Sequence, residues 1–273
     1  MRRLLPLLLL AGCGPAVTRP VPETVRPQRI VSLNLCADQQ LLALADDDQI
    51  AGLTRLSRDP SLSAGAARAS RLPVIDASAE DLLHLAPDLV LTDAGFPAPA
   101  LAALPDRQFR TVPLNWVARY YDIVAQLRQV GDAVGHRPRA DALVARMDRA
   151  LARIDGAAGG GRVAADYQRR GYLTGSGTLV DELMGRVGLV NLATRLGKPA
   201  LSQLSLEEMV AARPDRLLRS EDAAVVDQGT EMLAHPAIRR IGRIDLPQAW
   251  TVCGGPAYVL AAERLADAIA PAH

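Results

Sequence analysis

One phrase occurs twice in the chain. Residues 78–88 read S-A-E-D-L-L-H-L-A-P-D and residues 205–215 read S-L-E-E-M-V-A-A-R-P-D. Each has a Ser, an acidic pair beginning two residues on, an apolar stretch and a closing Pro-Asp. Acidic residues just after a Ser belong at the start of a helix, where carboxylates meet unpaired amides and the positive end of the dipole, worth ~0.3–1 kcal/mol. Repeated, they also offer a partner two equivalent negative points, Glu80 and Glu207, flanked by Asp81 and Glu208. The residues alone leave both roles open.

Other chemistry is sparse. His84, His136, His235 and His273 are scattered without ligand spacing, so no metal centre is expected. There is no G-x-S-x-G and no Cys–His–Asn arrangement, so an enzyme is not expected. Residues 172–182, Y-L-T-G-S-G-T-L-V-D-E, set a Gly-rich turn before a helix but lack both G-x-G-x-x-G and a P-loop lysine. No nucleotide or other cofactor is expected.

The first residues point to export. Met1-Arg2-Arg3 is basic, Leu4 to Leu10 is apolar, and Leu10-Ala11-Gly12-Cys13 follows. The apolar run is far short of the ~20 residues that span a bilayer. Leu-Ala-Gly-Cys resembles the bacterial lipoprotein box, which implies acylation of Cys13 after removal of residues 1–12. Contact with the membrane is then expected through lipid alone. Residues 14–28 are Pro-rich and lack apolar periodicity, as a stiff tether would be. Two cysteines remain, Cys36 and Cys253. In an exported protein an even remainder suggests a disulfide; two thiols at a ligand, or two buried small apolar side chains, are the alternatives.

At 273 residues, 49% of them apolar, the chain can build two ordinary domains, and its 3% aromatic content leaves Leu, Val, Ile and Ala to fill the cores. A net charge of +1 argues against a nucleic-acid partner. Short apolar runs at 30–33, 50–53, 72–75, 89–91 and 111–114 predict strands, and they alternate with helical patterns at 36–45, 78–86 and 97–104. Apolar residues at helical spacing then run from Tyr120 to Val134 and from Ala142 to Ile154, with Gly135-His136 between. After the glycines of 156–161, strands are predicted at 163–166 and 215–218. Helices are predicted over 178–187, after Ser205, near 228–241 and over 256–269. The predicted organisation is an N-terminal α/β lobe over 29–136, a linking helix over 137–159 and a C-terminal α/β lobe over 160–273.

The lipoprotein box, R-I-V-S-L-N at the first strand, a helix between two βα lobes and the doubled phrase together resemble the helical-backbone class of substrate-binding proteins. These serve bacterial ABC importers of vitamin B12, ferric siderophores and haem. The resemblance implies two Rossmann-like lobes joined by a long helix, and a ligand held between them. It implies a monomeric, periplasmic, lipid-anchored binding protein that carries a metal chelate to a permease dimer. Glu80 and Glu207 become the residues that dock on that dimer. The first-lobe loops place Asn34, Leu35, Ser57, Arg58 and Phe96 at the ligand, with Arg58 alternatively pairing with Asp59. In the second lobe Tyr172, Thr174 and Trp250 take that place, although Trp250 suits a core equally, while Trp116 suits a cap on the linking helix. Cys36 and Cys253 come near the cleft on opposite lobes. The second lobe of the B12 binder is expected to carry its own cysteine pair; Met184-Gly185 stands there in this chain, a departure that counts against a corrinoid. An exported two-lobed enzyme and a ligand-sensing lipoprotein are the rival readings.

Overall fold

The structure, a computed structural model, describes residues 26–96, 98–104, 109–220 and 227–270. Cys13 and the tether as far as residue 25 lie outside them. The first lobe begins β1 (Ile30–Ser32), α1 (Leu35–Leu44), β2 (Ile50–Thr54), α2 (Ala66–Ala69) and β3 (Val74–Ile75). It continues with α3 (Ala79–Leu85), β4 (Leu89–Asp93), α4 (Pro99–Ala102) and β5 (Arg110–Leu114). Its five strands form one parallel sheet in the order β3-β2-β1-β4-β5. Strands β1 and β4 are apolar almost throughout and buried, as central parallel strands covered on both faces must be.

Two helices follow, α5 (Tyr120–Ala133) and α6 (Arg137–Leu151). Gly131 allows them to approach: a Cβ there would stand 2.6 Å from the Cβ of Ala140. The second lobe comprises β6 (Val163–Asp166), β7 (Tyr172–Thr174), α7 (Leu179–Arg186), β8 (Val190–Asn191) and α8 (Leu192–Arg195). Next come β9 (Leu201–Gln203), α9 (Leu206–Ala212), β10 (Arg216–Arg219), β11 (Gly242–Asp245) and α10 (Tyr258–Ile269). A parallel sheet runs β11-β10-β6-β8, and β7 pairs antiparallel with β9 beside it. Among the described residues no helix is long and apolar enough to cross a membrane.

Three expectations differ in detail. The linking helix stops at Leu151, and the glycine-rich stretch after it forms turns. The helical stretch expected near 228–241 is reduced to two short 3-10 turns, Glu231–Ala234 and Pro236–Ile238, parted at His235 because Pro236 cannot continue the first. Strands β7, β8, β9 and β11 were not predicted.

The repeated phrase folds into one module made twice. Ser78 and Ser205 are N-caps, each accepting from the backbone N–H three residues on, while Asp81 and Glu208 bond back to complete a capping box. Both helices end on a left-handed residue, Ala86 (φ 42°) and Arg213 (φ 48°), just before the Pro. The closing Asp then secures a strand. Asp88 accepts from the backbone N–H of Gln28 and Arg29 at the start of β1, and Asp215 from that of Val163 at the start of β6.

One apolar core serves both lobes. It gathers Leu41 and Leu44 of α1, Ile123 and Leu127 of α5, Val144 and Met147 of α6, Leu183 of α7 and Leu265 of α10. At its edge Tyr120 stacks on Tyr258 with centroids 5.7 Å apart, and the Arg186 guanidinium lies 5.3 Å from the Tyr120 ring. Helices α5 and α6 are thus embedded between the lobes.

Candidate functional site

Parallel βα units open their binding crevice at the carboxyl ends of the strands, and both lobes contribute such ends to one cleft. Asn34 follows β1, Asp93 ends β4, and Asn115 and Trp116 follow β5. Across from them stand Gln168, Thr174 at the end of β7, Thr178 at the start of α7, and the loop from Gln248 to Gly254. The cleft holds about 340 Å³ and adjoins a second chamber of about 320 Å³ within the C-terminal lobe. Leu114, Val117, Leu179, Val180, Leu201 and Val252 supply apolar wall, and amides and hydroxyls are set among them. A mostly apolar wall with a few placed polar groups suits a small organic ligand.

The lobes are joined at this cleft. Cys36, in the first turn of α1, is bonded to Cys253, with Cα atoms 5.2 Å apart. One residue on, the carbonyl of Gly254 accepts from Gln40 Nε2 at 2.7 Å, and Gln40 also donates to Gln126 Oε1 at 3.0 Å. Gly254 has no room for a side chain, since a Cβ would meet Val117 at 2.2 Å.

The expected ligand residues divide. Asn34 and Thr174 line the main cleft, and Tyr172 lines the adjoining chamber. Phe96 is exposed over a smaller cavity of the first lobe that shares Asn34 and Asp93 with the cleft wall. Four placements are corrected. Leu35 is the first residue of α1 and contributes to neither chamber. Ser57 is fully buried, its hydroxyl donating to the Thr54 carbonyl. Arg58 meets neither the cleft nor Asp59; its guanidinium donates to the carbonyls of Ala69 and Leu72. Trp250, half-buried at the end of the 3-10 turn Gln248–Trp250, packs against the core and lines neither chamber. Trp116, 72% exposed, is the tryptophan of the cleft wall. Asp93, Asn115, Gln168, Gln248 and Thr251 were missed, although the first three sit where a β-strand ends.

Two carboxyls are perturbed by burial. Asp38 of α1 is pushed up to about 6 by loss of water, against the opposing hydrogen bonds from Thr54 and Ser32. Asp166, at the end of β6, is pushed up for the same reason, opposed by hydrogen bonds from Thr174 and Gln168. Among the described residues no three His, Cys, Asp or Glu side chains converge as metal ligands would.

The acidic pairs separate by task. Asp81 and Glu208 close their capping boxes. Glu80 and Glu207 are exposed and make no side-chain hydrogen bond or ion pair among the described residues. Three residues on, Leu83 and Val210 are also exposed, by 67% and 41%.

Residues 30–241 match the sequence profile of the family described as periplasmic binding protein. The uncharacterized ABC transporter substrate-binding lipoprotein YvrC of Bacillus subtilis is 23% identical over an alignment 305 positions long, covering 98% of this chain and 95% of that one. The periplasmic heme-binding protein RhuT from Roseiflexus sp. RS-1 superposes with a TM-score of 0.72 at 25% identity, over 89% of this chain and 97% of its own. The periplasmic heme-binding protein HutB of Vibrio cholerae shares the fold with a TM-score of 0.69 at 22% identity, over 89% and 99%. With two βα lobes, helices embedded between them and a cleft at their strand ends, the chain belongs to the periplasmic binding protein family.

Proposed function

We propose that the protein captures a metal-chelate nutrient (a corrinoid, a ferric siderophore or haem) in its interlobe cleft and delivers it to an ABC permease in the membrane. The observation that carries this is the fate of the repeated phrase. Ser, the second acid, Pro and Asp each have a hydrogen-bonding or chain-turning task in both copies, whereas Glu80 and Glu207 make no side-chain hydrogen bond or ion pair among the described residues and keep only the helix-start position. One free carboxylate on each lobe, each beside an exposed apolar residue, suits a two-fold permease dimer carrying basic pockets. The likeness to a substrate-binding lipoprotein and to haem-binding structures supports the same reading. The protein acts as a periplasmic monomer, acylated at Cys13 and held by the tether of residues 14–28. Its lobes span 29–136 and 160–273, with 137–159 connecting them.

A thermal-shift panel on protein lacking residues 1–13 tests the capture. Cobalamin, cobinamide, haemin and ferric siderophores are added singly. At 100 times Kd a true ligand stabilises the fold by ~2.7 kcal/mol. A flat response to every chelate would sink the reading.

A further inference from the structure

Resting on that capture function, we propose that the cleft selects chelates without net negative charge, fringed by amide, hydroxamate or similar neutral polar groups, and rejects carboxylate- and catecholate-bearing ones. The charges of the wall carry the inference. Among the described residues lining the main chamber there is no Arg, Lys or His, and the one charged side chain is Asp93, whose Oδ1 accepts from the Gly95 N–H at 2.6 Å. The adjoining chamber holds buried Asp166, and its Arg169 is already paired with Asp227 at 2.8 Å. An anionic arm entering here gives up water, meets no unpaired Arg, Lys or His among the described lining residues and approaches the Asp93 carboxylate.

Helices α1 and α7 both start at the cleft, and helix starts attract anions. Each has that attraction countered from within. Asn34 and Thr178 accept first-turn N–H groups, and Asp38 and Asp181 lie in the first turns. What the wall does present is neutral. The side-chain amides of Asn115 and Gln248 and the amide nitrogen of Asn34 make no hydrogen bond among the described residues, so donors and acceptors face the ligand together. Among the described residues lining the main chamber a porphyrin iron also finds no imidazole, phenolate or free sulfur, since Cys36 and Cys253 are bonded to each other, and the phenol of Tyr172 belongs to the adjoining chamber. Corrinoids and ferric trihydroxamates share the chemistry that fits: a metal enclosed by a neutral, carbonyl- and amide-bearing fringe.

Isothermal titration of the mature-length protein with cyanocobalamin, a neutral ferric trihydroxamate, haemin and a ferric tris-catecholate tests this. One of the two neutral probes should bind at least ~10-fold more tightly than either anion, and which one binds identifies the source. Asp93→Asn keeps an acceptor for the Gly95 N–H and should narrow the margin over haemin severalfold. Haemin or the catecholate binding as tightly as the neutral probes overturns the selection while leaving capture intact. An unchanged margin in Asp93→Asn overturns the assignment to Asp93. Absence of binding by all four, in protein that melts as a folded domain, removes the capture function and this inference with it.

Discussion

Cys36 and Cys253 stand 217 residues apart in sequence and 5.2 Å apart at Cα, bonded across the mouth of the interlobe cleft. Free-thiol titration of denatured, unreduced protein lacking Cys13 should therefore find almost none, and two reactive thiols per chain would refute the pairing. In the chain-entropy picture a closure this long restricts the unfolded state by on the order of 5 kcal/mol. The Cys36→Ala/Cys253→Ala variant should lose stability toward that limit in denaturant unfolding.

The two tryptophans should separate ligand binding from stability. Trp116→Ala removes an exposed cleft wall and should weaken ligand binding by ~1–3 kcal/mol while the melting point hardly moves. Trp250→Ala removes a half-buried core contact and should cost stability at the low end of the ~3–5 kcal/mol typical for Trp truncation. Calorimetric melting and titration on both variants decide the assignment; exchanged outcomes would reverse it.

Within the repeated phrase, neighbours should behave oppositely. Asp81→Ala and Glu208→Ala open a capping box and should each cost ~0.5–2 kcal/mol of stability with transport retained. Glu80→Arg and Glu207→Arg should retain ligand affinity, yet uptake should collapse in a cell that depends on the nutrient, because like charges would face each other at the permease. Normal uptake by the double variant would leave the two glutamates as helix-start charges only.

Asp38 should make stability depend on pH. Its carboxyl titrates at about 6 when folded against 3.8 as the ordinary value. Between those values the folded chain holds a proton that the unfolded chain has released. The contribution is therefore fully present below about pH 4 and lost as pH rises through 6, a change of roughly 3 kcal/mol. Asp38→Asn cannot titrate, so its stability relative to wild type should climb by about that amount between pH 4 and 7. Parallel denaturation curves across that range would contradict the assignment.

Much of the fold was legible because central parallel strands must be apolar on both faces. Ile30–Ser32, Leu89–Asp93 and Val163–Asp166 read as buried runs for that reason. Strands β7, β9 and β11 did not, since Tyr-Leu-Thr, Leu-Ser-Gln and Gly-Arg-Ile-Asp are short and mixed, defined by a hydrogen-bonded neighbour rather than by burial. At the site, sequence located loops but not the direction of side chains. Ser57 and Arg58 sit in a 3-10 turn of the expected lobe, yet backbone carbonyls nearby take their hydrogen bonds. Trp116 and Trp250 both lie between the longer elements, and their sequence context does not show that Trp116 is exposed while Trp250 packs on the core.

The bond between residues 36 and 253 closes the chain between them, which includes most of both lobes, into a covalent ring. A single peptide cut anywhere inside that ring cannot divide the molecule. The severed ends would drift locally, but each lobe would stay fastened to the other by a sulfur bridge as well as by their common core. A binding protein exposed to proteases outside the cytoplasm could be nicked and still present both halves of its cleft as one body.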